Sequence, residues 1–280
     1  MQNRSLWQMV FRQIRRSRTR TAAAIFVVLV LAAAILAPLL STHDPLTGDF
    51  KAVLAGPSAR YWFGTDEVGR DIYTRIIWGA RYSVAMGTLS VLLGGFLGVT
   101  LGLISGYFGG MLDLVVMRFI DLLLAFPGML LAILIAGVLG AGFMPVVVAI
   151  AVWSVPTFAR LTRGSTLTLK KREFVEAARS AGARDSRILV RHVLLNCFGP
   201  LAVYATLLLG DAILTAASLS FLGVGVAPPA PEWGAMISMS KAFMKAHPHV
   251  IIAPGLAVFL TVLAFNILGD ALRDALDPKA

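Results

Sequence analysis

Residues 170–196 read KKREFVEAARSAGARDSRILVRHVLLN, a charged island in a chain that is 58% hydrophobic. At helical period Phe174, Ala177, Ala178 and Ala181 share one face, while Lys171, Glu176, Arg179 and Ser180 fall largely on the other. Gly182 predicts the end of that helix, because glycine enters the left-handed region without a Cβ clash. Asp185 predicts an N-cap for a second short helix. That helix carries Ile188, Leu189 and Val193 on one side and Arg184, Arg187 and Arg191 as a basic stripe on another. The stretch is a helix, a glycine break and a second helix, set between membrane spans. It reads either as a solvated loop obeying the positive-inside rule, or as a small apolar face flanked by charges that a grooved partner can hold.

The rest of the composition fixes the class. The chain has 280 residues, a mean hydropathy of +0.79 and only 14% charged residues. Several long continuous apolar runs predict an all-α polytopic membrane protein and argue against an alternating-pattern β-barrel. The net charge of +10 is placed rather than spread. Six arginines (Arg4, Arg12, Arg15, Arg16, Arg18, Arg20) precede the first span, and nine Lys or Arg fall between Arg160 and Arg191. That asymmetry predicts both termini in the cytoplasm and gives no reason to invoke nucleic acid. Cys197 is the only cysteine, so no intramolecular disulfide can form. The basic start followed by an apolar stretch imitates a signal peptide, but residues 21–40 are long enough to be a retained anchor.

Six spans are expected, at about residues 21–40, 83–106, 114–139, 144–161, 197–221 and 250–268. Pro38 closes the first. An exported loop follows, in which Thr65 or Asp66 could cap a surface helix bearing Arg70, Asp71 and Arg75 as solvated charges. In the second span Gly94, Gly98, Gly102 and Gly106 repeat at i+4 with Ser90 in phase, a pattern that lets another backbone approach. Gly109-Gly110 predicts a short turn. Arg118 and Asp121 stand i+3 in the third span, where they can pair with each other or serve as a gate, and Pro127 predicts a kink. Asp211, near the middle of the fifth span, lines a hydrated cavity or bonds to a neighbour. The prolines of residues 228–231 exclude regular helix there. His247 and His249 flank a proline, with no third ligand in view.

Three strings carry a resemblance. Glu176-Ala177-Ala178, three residues, then Gly182 resembles the EAA loop of permease subunits of binding-protein-dependent ABC importers. FGTDEVGRDIYTRIIWGARYS (residues 63–83) resembles the segment before the second span in C-type subunits of dipeptide and oligopeptide importers. SFLGVGVAPPAPEWGAM (220–236) and the end LAFNILGDALRDALDP (263–278) resemble the same family, which places Asp270, Arg273, Asp274 and Asp277 at the cytoplasmic membrane surface. The loop departs from the family at Leu194-Leu195-Asn196, where a Leu-Pro-Asn is usual; the missing proline bears on the bend into the next span.

The resemblance implies the type I ABC importer permease fold: six transmembrane helices, a peripheral first helix, both termini cytoplasmic, in the bacterial inner membrane. It implies a basic cytoplasmic tail at 1–20, a first helix at 21–40 and a periplasmic loop at 41–81. A permease core at 82–270 follows, with the coupling loop at 165–196, and then a cytoplasmic end at 271–280. It implies a partner permease in a heterodimer, two ATPase subunits that bind ATP and Mg, a periplasmic or lipid-anchored binding protein, and surrounding lipid. Glu173, Phe174, Glu176, Ala177, Ala178, Arg179, Gly182 and Arg187 would meet the ATPase. Asp66, Arg70, Asp71, Glu232 and Trp233 are candidates for contact with the binding protein, and Arg118, Asp121 and Asp211 for the pathway or gate.

No GxxxxGK[ST], HExxH or nucleophile elbow occurs, so no catalytic residue, cofactor site or metal site is assigned to this chain. The expected cargo is a short peptide of the dipeptide, oligopeptide or glutathione class. Alternatives are a nickel chelate or a D-amino-acid dipeptide on the same architecture, a proton-coupled secondary transporter using Asp121 or Asp211, and a non-transporting scaffold subunit.

Overall fold

In a computed structural model the structure describes residues 6–276, and the readings placed on Arg4 and Asp277 lie outside them. The described chain is helical: α1 (Leu6–Arg15), α2 (Arg18–Leu40), α3 (Ile72–Phe108), α4 (Gly110–Leu124), α5 (Gly128–Leu139), α6 (Phe143–Leu169), α7 (Glu173–Ser180), α8 (Asp185–Ile188), α9 (Leu195–Phe221), α10 (Trp233–Ser240) and α11 (His249–Leu276). Five helical segments are long and apolar enough to cross a membrane, and six if the bent α4–α5 pair is one span.

The glycine repeat builds the centre. Gly94 lies against Ala151 and Ser154, Gly98 against Val155 and Phe158, Gly102 against Ala159 and Thr162, and Gly106 against Arg163 and Thr166. Each step of four on α3 matches a step of four on α6, so the two helices run parallel with their backbones in contact. Around this pair α9 packs against α11, with Gly210 beside Val262 and Asn266. α2 packs on α11 through Ala23, Val27, Ala264 and Phe265, with an Arg20–Asp274 ion pair of 2.5 Å at the end.

Pro38 shows how local chemistry fixes a crossing. Proline has no N–H, so the carbonyl of Ala34, one turn earlier, loses its helical partner. Arg81 of α3 donates its Nε to that carbonyl and its Nη2 to Ile35 O at 3.0 Å. The guanidinium also lies 4.8 Å from the centre of the Trp78 ring.

Several expectations are corrected. The second span begins at Ile72 rather than Ser83, because Asp71, not Thr65 or Asp66, caps it by accepting from Thr74 N at 3.1 Å. The third span is two helices meeting at 91°. Pro127 removes an N–H and bars the α region for Phe126, so the chain turns there rather than kinking mildly. Arg118 and Asp121 do not pair: Asp121 binds Arg160 of α6 at 2.6 Å, and Arg118 is exposed. The fourth span runs on to Leu169 and the sixth to Leu276. Residues 6–15, expected only as part of a basic tail, form α1.

Candidate functional site

The insert 170–196 is held to the end of the α3–α6 pair by a few polar ties. Lys170 donates its Nζ to Gly106 O at 2.7 Å and Tyr107 O at 3.3 Å, placing a cation on the carbonyl end of α3. The Tyr107 hydroxyl donates to Asp185 Oδ1 at 2.5 Å and accepts from Arg179 Nη2 at 3.2 Å. One phenol therefore joins α3 to both helices of the insert. The expected cap is corrected: Asp185 is the first residue of α8 and its carboxylate accepts from Tyr107, and the capping position is Arg184, whose side chain makes no capping bond.

The break at Gly182 is as expected. Its φ is +79°, with Gly182 N bonded to Arg179 O at 2.9 Å and Ala183 N to Ala178 O at 3.0 Å. These two bonds are the paired closure of a helix C-terminus on a left-handed residue. A Cβ at Gly182 would meet nothing within 4 Å, so only backbone strain opposes substitution. Gly182→Ala is expected to destabilise the insert by about 1 kcal/mol, read as faster local proteolysis at residues 170–196 with the melting of the whole chain little changed.

The insert has two faces, and the inward one differs from the sequence reading. Val175, Ile188 and Val193 are fully buried, Ala178 is half-buried, and Phe174, Ala177 and Ala181 face out. Val175 is the anchor, because it points at the bundle when the Phe174–Ala177–Ala181 stripe does not. Glu173, Glu176, Arg179 and Arg187 are exposed around that stripe, and Phe174 keeps 40% of its surface accessible. The carboxylates sit in the first turn of α7, where they complement the helix dipole. Where the family's proline is missing, the helix is not broken. α8 passes through a π-helical turn, Leu189–Leu194, straight into α9. The second short helix is therefore the base of the fifth span, which begins at Asp185 rather than Cys197.

A second constellation locks the opposite end. Asp66 accepts from Arg70 Nε at 2.7 Å and pairs with Arg75 Nε at 3.4 Å; Arg75 also donates to Pro45 O at 2.8 Å and Pro229 O at 3.2 Å. Glu232 caps α10 by accepting from Gly234 N at 2.9 Å and Ala235 N at 2.7 Å, and Trp233 donates its ring N–H to Ile76 O at 2.9 Å. Asp66, Arg70, Asp71, Arg75, Glu232 and Trp233 are all buried. The reading of Arg70, Asp71 and Arg75 as solvated charges is thereby corrected: Arg70 and Arg75 satisfy a loop carboxylate and loop carbonyls, and Asp71 accepts from Thr42 and from the backbone and hydroxyl of Thr74. As candidates for meeting a binding protein, Asp66, Arg70, Asp71, Glu232 and Trp233 point into this chain rather than out of it. The exposed side chains beside them are Trp62 and Phe63, packed on Tyr73 with ring centres 4.6 and 5.7 Å away. Sequence reasoning passed over both aromatics, and over Tyr107.

Of the pathway candidates, Asp211 is exposed on α9, whereas Asp121 is tied to Arg160 and joins a second tie between the same helices, Asp113 with Arg163 at 2.6 Å. The rings of His247 and His249 lie 6.0 Å apart, and among the described residues no group of three or more His, Cys, Asp or Glu is placed to hold a metal.

Residues 98–280, which carry Gly98, Gly102 and Gly106 of the glycine ladder, the insert and α11, match the binding-protein-dependent transport system inner membrane component. The chain belongs to that family. Residues 5–57 match the N-terminal transmembrane domain of oligopeptide transport permease C. The glutathione transport system permease protein GsiD of Pectobacterium atrosepticum is 49% identical over 277 residues, covering 99% of this chain and 92% of its own. GsiD of Escherichia coli O157:H7 is 48% identical over 279 residues, with the same coverage of 99% and 92%. Among solved structures, a chain of the inward-facing MetNI methionine ABC transporter aligns with a TM-score of 0.57 at 19% identity, covering 72% of this chain and 97% of its own. A chain of an amino acid ABC transporter with histidines aligns with a TM-score of 0.53 at 17% identity, covering 73% and 95%. This inner-membrane component is thus a multi-pass permease subunit of an ABC importer, and its helical arrangement is the one those transporters share.

Proposed function

We propose that this permease forms half of a translocation path for short peptides of the glutathione class, and that an ATPase subunit grips it by the outward stripe of α7. The observation that carries the coupling role is the two-faced insert. Val175, Ile188 and Val193 fix it to the bundle, while Phe174, Ala177 and Ala181 stay outward, ringed by Glu173, Glu176, Arg179 and Arg187. An apolar spot with a charged rim is what a partner's groove takes up. The cargo class rests on the GsiD relatives.

A second, homologous permease supplies the other wall, two ATPases supply ATP hydrolysis with Mg, and an extracytoplasmic binding protein delivers cargo. Both termini lie in the cytoplasm, as the basic residues before α2 and around the insert favour. Closure of the ATPases moves both inserts, and rigid movement of the spans exposes the path to each side in turn. In a strain lacking this chain, uptake of radiolabelled glutathione is expected to be lost and restored by its return. That uptake should survive collapse of the proton gradient and stop on ATP depletion. The reverse dependence would overturn the reading in favour of a proton-coupled carrier, and unchanged uptake in the deletion strain would remove the cargo assignment.

A further inference from the structure

One side of α9, exposed at Pro200, Asp211, Leu214 and Phe221 and half-buried at Tyr204, Leu207 and Ser218, carries a carboxylate that no described residue answers. Pro200, Tyr204, Leu207, Asp211, Leu214, Ser218 and Phe221 recur at alternating steps of four and three, so they lie along one side of the helix. Leu201, Leu208, Ala212, Ala216 and Leu219 are buried on the other side. The stripe borders two open grooves. One, of about 480 Å³, lies toward the insert end and is lined by Pro200, Tyr204, Leu207 and, from α11, Arg273. The other, of about 460 Å³, lies toward the α10 end and includes Leu214, Ser218 and Phe221. Asp211 stands one turn from each, exposed, with no bonding partner among the described residues.

An ionised carboxylate facing lipid at mid-span is costly, and such residues face a water-filled path or a paired charge. Arg273 supplies the opposite sign, but Gly269 lies beside Leu207 and Leu276 beside Gly199, so Arg273, between them on the antiparallel α11, is level with Val203, roughly eight residues down α9 from Asp211. At about 1.5 Å of rise per residue this separates the two levels by roughly 12 Å along the axis. They are too far apart to neutralise each other directly. The gap equals about three to four residues of extended chain, at about 3.3 Å each.

We propose that Asp211 and Arg273 are a paired recognition element in the path wall, taking the ammonium and the carboxylate of a zwitterionic short peptide. The geometry selects cargo by charge spacing: a solute with both groups engages both side chains, and a solute lacking the ammonium leaves Asp211 unanswered. This rests on the peptide-importer reading above and names the residues that meet the cargo.

The test uses the complete complex, with both permeases, the ATPases and the binding protein, reconstituted in liposomes with glutathione as probe. Asp211→Asn and Arg273→Gln are each expected to lower maximal uptake roughly tenfold, the loss of one charge-assisted bond. Asp211→Glu should retain most uptake, and subunit co-purification and ATP hydrolysis stimulated by loaded binding protein should remain. Uptake at the wild-type rate in Asp211→Asn would overturn the proposal. So would loss of the partner permease from that variant's complex, which would make Asp211 an inter-subunit tie.

A second arm is independent of cargo identity. Because Cys197 is the only cysteine, a Cys197→Ala, Asp211→Cys variant carries a single thiol. Charged, water-soluble methanethiosulfonate reagents are expected to label it in the assembled complex. Absence of labelling would place position 211 against lipid or protein and overturn the proposal even where glutathione uptake is robust. Labelling together with no glutathione uptake by the wild type would instead leave the path position standing and fault the cargo class.

Discussion

Gly98→Leu is expected to prevent the permease from assembling stably. A Cβ at this position would stand 2.6 Å from the Phe158 Cβ and 2.6 Å from the Val155 carbonyl oxygen. Neither neighbour is the free end of a flexible side chain, and α6 is itself packed on α3, α5 and α9, so α6 would have to move away. Overpacking a fitted core costs about 1–3 kcal/mol, and a leucine at a backbone contact belongs at the upper end. The loss extends beyond one contact, because Gly94, Gly102 and Gly106 meet α6 in the same register. Size-exclusion chromatography and thermal aggregation of the detergent-solubilised protein would read the effect. Gly137→Leu is the control, since a Cβ there meets nothing within 4 Å and the site is exposed. Equal behaviour of the two variants would mean that the α3–α6 contact does not hold the bundle together.

Phe174→Asp is expected to leave the permease folded and to abolish coupled transport. Phe174 keeps 40% of its surface exposed on the single chain and faces away from Val175, Ile188 and Val193. Its substitution removes no core packing, so melting should shift little. If an ATPase groove holds this ring, burying a carboxylate there without a partner costs several kcal/mol. Co-purification of the ATPase should fall by at least about a hundredfold in apparent affinity at that cost, and uptake should stop. Phe174→Leu should recover both measurements in part. Wild-type co-purification in Phe174→Asp would place the docking surface elsewhere on the insert.

Much of this architecture is written locally. The apolar runs mark the spans, the i+4 glycines mark the backbone contact, and Gly182 marks the break in the insert, because each depends on residues within a few positions of one another. Pro127 also marked the turn, but proline alone does not give an angle, and 91° is set by where α4 and α5 pack. The faces of α7 show where local reading ends. Its apolar residues lie on two sides, and only the three-dimensional position of α3 and α9 decides that Val175 turns in while Phe174 turns out. The same holds for Arg75. Charges in an exported loop read as solvated until the partners at Pro45 and Pro229 are brought to them by the fold. Tyr107 gave no signal in sequence, since its contacts lie with Arg179 and Asp185, far along the chain.

The absence of a proline at position 195 has a mechanical result. From Asp185 to Phe221 the chain is one continuous helix of 37 residues, with a π-helical turn and Pro200 inside it, about 55 Å at the usual helical rise. Its foot lies beside α7 and its tip ends next to the proline-rich loop of residues 228–231. A swing of ~10° about the foot carries the tip through roughly 10 Å over such a length. A break between foot and tip would absorb that motion, whereas helix that continues through the π-helical turn passes it on.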